Sequence, residues 1–284
     1  MKKEKSDMKK VLKTLAITGG VLCALKGFDN RLEITEYSIE SEKIPSEFDG
    51  FRIVQISDFH NDNHTGISAE IKALRPDIIV STGDLADDEG SYNPAIRLCE
   101  NLVPIAPVYA VTGNHDLWRS DYNEFEKELS AVGVITLHNE RILLQRDGSK
   151  ISLCGIDDPF SVTRDNILEH LSDAIASLPK SKYFDILLFH RANLLSELRH
   201  YGFDLILSGH MHGGQIRLPW GNGVFSPTSS IPSGESLLFP KYFGGYYTYK
   251  NTHMIVNRGL GNPMIIPRLF NRPEITVITL KQKI

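Results

Sequence analysis

PVYAVTGNHD (107–116) starts as an apolar run and ends on a glycine followed by three side chains able to bind a metal. The fold turns on whether this is one polar loop or one of a set. FRIVQISDFH (51–60), DIIVSTGD (77–84), FDILLFH (184–190) and FDLILSGHMH (203–212) have the same design. Short, near-continuous apolar runs are what strands buried on both faces require. Helical patterns separate them at about 66–75, closed by Pro76, and at 94–102, opened by Pro94. Further helices are predicted over 121–131, 163–177 and 193–200. Additional strands are predicted at 31–41, 134–137, 141–146, 151–156, 246–257 and 274–280, with Asp147-Gly148 as a hairpin turn. Strands alternating with helices give an α/β protein. In open sheets of that class, ligands sit outside the carboxyl ends of the strands.

Composition is that of an ordinary globular protein: 284 residues, 41% hydrophobic and 23% charged. A formal charge of −4 argues against a partner held mainly through its phosphates, so no nucleic-acid binding is expected. A monomer is expected. The cysteines Cys23, Cys99 and Cys154 form no CxxC pair and are read as small apolar side chains. No linker divides 31–284, which reads as a single domain. Residues 1–30 differ. Five lysines in the first ten positions precede twelve uncharged residues between Lys13 and Lys26. That stretch is shorter than the roughly 20 residues of a membrane span. A basic flank with a short apolar core has the form of a signal peptide or signal anchor. No small-x-small cleavage site follows it. A membrane-associated location is therefore expected, the alternative being a plain terminus on a cytoplasmic protein. The segment 218–245, rich in Gly, Pro, Ser and aromatics, reads as a long loop packed on its own aromatic side chains, with a lipid-facing lid as the alternative.

The polar residues at the strand ends are Asp58, His60, Asp84, Asn114, His115, His190, His210 and His212. Oxygen donors and imidazoles without thiolate suit divalent first-row metals. Each piece alone has an ordinary reading: D-x-H as a surface loop, GD as a turn, a buried His as a hydrogen-bonded core residue, NHD as a helix cap. Five successive strands delivering such residues at one end is a different matter. Two metals in one centre need a bridging ligand, and Asp84, central among the others in sequence, is the candidate.

Taken in order, D-x-H at 58–60, GD at 83–84, GNHD at 113–116, His190 and GHMH at 209–212 resemble the calcineurin-like metallophosphoesterases. The resemblance covers 31–284. The QISDFH, GHMHGGQI and VNRGLG (256–261) runs are similar to those of bacterial membrane-associated phosphoesterases, some of which cleave the pyrophosphate of UDP-2,3-diacylglucosamine. The resemblance implies a two-sheet β-sandwich flanked by helices in four layers, with a di-metal site at its edge. Asp58, His60, Asp84 and His212 would hold one ion. Asp84, Asn114, His190 and His210 would hold the other. Manganese is the expected metal, with iron, zinc or cobalt also compatible. One departure is Arg-Ala-Asn after His190, where relatives carry a proline two residues on.

The implied activity is hydrolysis of a phosphodiester, phosphomonoester or pyrophosphate by a metal-bridging hydroxide. The substrate would be a small phosphate ester or a lipid-linked one, with a membrane surface as a further contact. A catalytically silent scaffold of the same fold is the alternative, disfavoured because every ligand and His115 are present. His115 is expected to stabilise charge or protonate the leaving group. Asp116 either orients His115 or caps the following helix. Arg258 and Arg191 are candidate phosphate contacts, with surface salt bridges as the ordinary alternative. Gly213, with Gly214, is a candidate for close backbone approach to the ligand.

Overall fold

Side-chain alternation decides which layer each strand residue enters. In β2 (Arg52–Ile56), Val54 and Ile56 pack with helices while Ile53 faces the opposite sheet. In β3 (Ile78–Ser81), Ile79 faces the helices, and Ile78 and Val80 face the sheet. Both faces are covered, which is why the sequence runs apolar without a break. The computed structural model describes residues 26–62, 64–159, 166–218, 220–225, 237–262 and 266–283, together with 13, 14 and 18. Most of the expected N-terminal segment, the start of the predicted helix at 163–177 and much of the 218–245 loop lie outside the described residues. Among the described residues, no helix is long and apolar enough to cross a membrane.

Two six-stranded mixed sheets form the inner layers. The first orders β1 (Glu33–Ser41), β12 (Glu274–Gln282), β2, β3, β4 (Val108–Ala110) and β5 (Val134–Thr136). The second orders β10 (Gly245–Tyr249), β11 (Thr252–Val256), β9 (Leu205–Gly209), β8 (Asp185–Arg191), β7 (Ser149–Ile156) and β6 (Glu140–Arg146). The expected single strand at 246–257 is thus a hairpin, β10 pairing antiparallel with β11. Asp147-Gly148 turns β6 into β7, both residues having positive φ (49° and 88°), as that hairpin turn requires.

Helices α1 (Ile67–Leu74), α2 (Asn93–Leu102) and α4 (Tyr122–Val132) cover the outer face of the first sheet through Ile71, Leu102 and Phe125, and the short α3 (Asn114–Trp118) lies between α2 and α4 in the chain. On the second, α5 (Ile167–Ser177) and α6 (Leu195–Leu198) supply Leu171 and Leu198. A sandwich core of Ile53, Val80, Leu153, Ile186, Leu207 and Ile278 joins the sheets. The architecture is the expected α/β four-layer sandwich. Cys99 and Cys154 are buried and unpaired. Near the edge the sheets are also linked by polar atoms: Gln55 Nε2 donates to Thr82 Oγ1 and to the Ser208 carbonyl, both at 3.0 Å.

Candidate metal centre

The parallel run β2, β3, β4 and the parallel run β8, β9 end at the same edge, so five loops converge there. The chain leaves its strands abruptly. Asp58, His60, Asp84, His210 and His212 all have positive φ, between 46° and 72°. A non-glycine residue in this left-handed region costs about 1–2 kcal/mol, and such strain collects at functional sites. The glycines of the two quoted motifs have a packing reason. A Cβ on Gly113 would overlap the Asp84 carboxylate, and one on Gly209 would overlap Ser57 Oγ and Asp58 Oδ2.

Asp58, His60 and His212 form one donor group, and Asp84, His190 and His210 another. In the first, His212 Nε2 is 3.5 Å from Asp58 Oδ1 and 3.3 Å from His60 Nε2. In the second, His190 Nε2 is 3.2 Å from Asp84 Oδ2, 3.2 Å from Asn114 Oδ1 and 3.1 Å from His210 Nδ1. Asp84 Oδ2 also lies 3.6 Å from His60 Nε2, so a single carboxylate oxygen faces both groups. All seven side chains are buried.

Several lone pairs converge here with few protons to share. His190 Nδ1 sits 2.8 Å from the Thr82 carbonyl, which can only accept, so the neutral ring carries its free lone pair on Nε2. That lone pair faces the Asp84, Asn114 and His210 acceptors. A proton on His190 can serve them one at a time, whereas a divalent cation serves them together. The residues present therefore fit a metal. Without an ion, a proton on His190 carries the positive charge that the carboxylates favour. Burial lowers the His190 pKa, but Asp84 and then Asp58 override it and raise it to about 10. Burial would raise Asp84, yet His190, His60 and His115 hold it well below the usual carboxylate range. Asp58 is raised by burial, and His210 and His212 are lowered by burial and by the neighbouring imidazoles.

His115 is half-buried at the rim of this set and, with His60 and Asp84, makes a further possible donor group. Its backbone N–H donates to Asp84 Oδ1 at 2.8 Å. Nδ1 lies 3.0 Å from Asp87 Oδ1 and 3.2 Å from Asp88 Oδ1, so those carboxylates engage Nδ1 and not Nε2. Burial lowers its pKa, but the Asp87 hydrogen bond and the charges of Asp84, Asp87 and Asp88 raise it to about 9. The same Asp87 oxygen is 3.4 Å from His60 Nδ1. Asp87 was not singled out by sequence reasoning, although an acid three residues after Asp84 was a readable signal. Trp118, half exposed, has its ring centroid 4.7 Å from that of His115. Asp116 lies in the short helix Asn114–Trp118 and holds backbone rather than an imidazole. Its carboxylate accepts from the backbone N–H of Gly113 (2.9 Å), Asp84 (2.8 Å) and Ala86 (2.9 Å), rather than from the His115 ring.

The three proposed substrate contacts are placed differently. Arg191 is buried in a bidentate pair with Asp158, at 2.7 and 2.9 Å. Arg258 lies against Glu33 at 2.8 Å and Glu274 at 3.0 Å. Both make ion pairs, and these are buried pairs rather than surface ones. Gly213 has φ 63°, and a Cβ there would overlap the Asn271 side chain, so its neighbour is protein. Asn271 Nδ2 donates to the carbonyls of His212 (2.6 Å) and Gln215 (3.0 Å), fixing this turn. Arg268, buried, comes within 3.4 Å of His212 Nδ1 and donates to the Arg258 carbonyl at 2.9 Å. Neither Asn271 nor Arg268 carried a sequence signal, because the segment 266–272 has no strand-end context. In the 218–245 loop, Tyr242 joins the core of the second sheet, while Trp220, Leu237, Leu238 and Phe239 are exposed. Residues 219 and 226–236 of this loop lie outside the described ones.

A family model described as calcineurin-like phosphoesterase matches residues 51–214. The chain is 34% identical to the uncharacterized metallophosphoesterase YkuE of Bacillus subtilis, over 94% of each chain. It is 27% identical to the UDP-2,3-diacylglucosamine pyrophosphatase LpxG of Chlamydia muridarum, over 88% of this chain and 89% of that one. Among solved structures, the phosphopantetheinyl hydrolase of Mycobacterium tuberculosis aligns with a TM-score of 0.47 at 13% identity, over 75% of this chain and 91% of that one.

Proposed function

Because the chain belongs to the calcineurin-like phosphoesterase family and is a metal-dependent phosphoric ester hydrolase, we propose that the converging donors are its reaction centre. In this reading Asp58, His60, Asp84 and His212 hold one divalent ion, and Asp84, Asn114, His190 and His210 hold the second. The observation that carries it is Asp84 Oδ2, which faces both His60 Nε2 and His190 Nε2. Manganese is the proposed native metal. When bound, the ions supply charge stabilisation for the phosphoryl oxygens and acidity for the attacking water.

The protein's own groups do the rest. His190, pinned by the Thr82 carbonyl, presents Nε2 in one orientation. Asp116 ties the Asp84 loop to the Gly113 loop, so that donors from two strands stay in register. His115, anchored through Nδ1, offers Nε2 to protonate the leaving oxygen. Such charge-carrying groups, fixed before substrate arrives, are what phosphoryl transfer needs.

A lipid-linked pyrophosphate is the finer reading of the substrate. It is supported by the likeness to the chlamydial pyrophosphatase over most of both chains and by the exposed Trp220, Leu237, Leu238 and Phe239. Membrane association belongs to the same reading. A metal-reconstituted panel tests it, comparing an aryl phosphodiester, an aryl phosphomonoester and a UDP-linked glycolipid, with Asp84→Ala as control. Turnover of the glycolipid above the aryl esters is expected. No turnover of any substrate with two metals bound would restore the scaffold alternative.

A further inference from the structure

Beside the metal centre lies a second feature that the reaction above does not use. A cleft of about 600 Å³ is lined by the cations Lys26, Arg31, Arg217, Arg258 and Arg272. Among the described residues, two carboxylates, Asp29 and Glu33, face them along its lining. The cleft is at the same end of the sandwich as the metal donors. Glu33 and Glu274 pair at the starts of β1 and β12, and β12 runs antiparallel to β2, which delivers Asp58. Its walls are continuations of the site's own loops. Arg217 follows His212 in the same loop, and Phe270 and Arg272 flank the Asn271 that holds the His212 carbonyl.

Part of the positive charge is already neutralised. Arg31 pairs with Asp29, and Arg258 contacts Glu33 and Glu274. Arg272 donates to the carbonyls of Arg31 and Leu32. Two groups are left over. Arg258 is only 7% exposed, and its buried Nε has no hydrogen-bond partner among the described residues. Arg217, half-buried, spends both Nε and Nη2 on the one Gly221 carbonyl, at 2.9 and 2.7 Å, and pairs with no carboxylate among the described residues. A buried donor without an acceptor is costly, and guanidinium groups match phosphate oxygens in geometry and charge.

We propose that this cleft binds a second phosphate-type anion, either another phosphate of the molecule being hydrolysed or the phosphate of a membrane lipid headgroup. The first source rests on the phosphoesterase reading above; the second does not. For a hydrolysed substrate, one anionic group would sit at the metals while the other is held in the cleft, which selects for molecules carrying two separated charges.

The test uses the full metal-loaded chain, wild type and the variants Arg217→Gln and Lys26→Gln. Its first readout is the ratio of kcat/KM for two soluble aryl phosphodiesters, one plain and one whose alkyl group ends in a non-hydrolysable phosphonate. A folding defect lowers both esters together and leaves this ratio unchanged. Wild type is expected to favour the doubly charged ester by about tenfold, and each variant to shrink that ratio towards one. The second readout is retention on phosphatidylglycerol vesicles relative to phosphatidylcholine vesicles, with the exposed Lys180→Gln as a charge control. A drop in retention specific to the cleft variants assigns the anion to a lipid headgroup. If neither readout moves, or if Lys180→Gln lowers retention equally while the ester ratio is unchanged, the proposal is overturned. If wild type turns over neither ester, it is the phosphoesterase reading that fails, and the vesicle readout alone decides the cleft.

Discussion

One carboxylate oxygen of Asp87 sits 3.0 Å from Nδ1 of His115, and the same oxygen is 3.4 Å from Nδ1 of His60. One carboxylate thus lies beside both His60 and the imidazole at the rim. Asp87→Asn keeps the shape and removes the charge. At saturating metal it should lower kcat about 10- to 100-fold, as loss of outer partners does, with KM little changed. His115→Ala should lower kcat further, by about 100-fold or more, while metal content stays near two per chain. Metal analysis beside steady-state kinetics checks both. Loss of metal from the His115 variant would move that residue from the rim into the donor set.

Asp116 should act through stability. Its carboxylate accepts three backbone N–H groups, those of Gly113, Asp84 and Ala86. Asp116→Ala leaves them buried without acceptors, at about 1–3 kcal/mol each. A loss of roughly 3 kcal/mol or more is expected in denaturant unfolding of the metal-free protein. An unchanged midpoint would show that water or a shifted loop replaces the carboxylate.

Arg191 offers a separate test, because its guanidinium is already engaged by Asp158. Arg191→Met strands a buried carboxylate and should destabilise by about 3–5 kcal/mol. Pairing it with Asp158→Leu should recover most of that loss. A variant of normal stability whose KM alone rises would instead make Arg191 a substrate contact.

His138 gives a pH dependence independent of the metals. It lies between Glu126 and Asp157, 3.0 Å from the latter, and hydrogen bonding to Asp157 raises its pKa to about 9 from an ordinary 6.5. With the folded value raised, the stabilisation is complete below about pH 6.5 and is lost as pH climbs through about 9. The ring is 40% exposed, so the effect is modest. Between these pH values the wild-type Tm should fall more steeply than that of His138→Gln. Parallel Tm profiles would show that the ion pair contributes nothing.

The layers and the donor edge were legible because burial on both faces writes itself as unbroken apolar runs, and each run ended where a ligand-type residue began. FDLILSGHMH shows both signals in ten letters. The hairpin at 245–256 was read as one strand because its turn, Lys250-Asn251, interrupts the pattern only briefly. The roles of Arg191 and Arg258 depended on Asp158, Glu33 and Glu274. Those partners are distant in sequence, and nothing in the spacing announces them. Arg268 and Asn271 escaped for the same reason. Contacts made by irregular loops leave no period in the chain.

Five of the donor-set residues sit in backbone that glycine would adopt freely and they do not. A glycine at position 60 or 212 would therefore relax the metal-free chain while deleting an imidazole. The strain is thus tied to the donors themselves, and relieving it position by position removes the site. Engineering of this protein should accordingly leave the strand-end edge untouched and seek its gains on the outer helices.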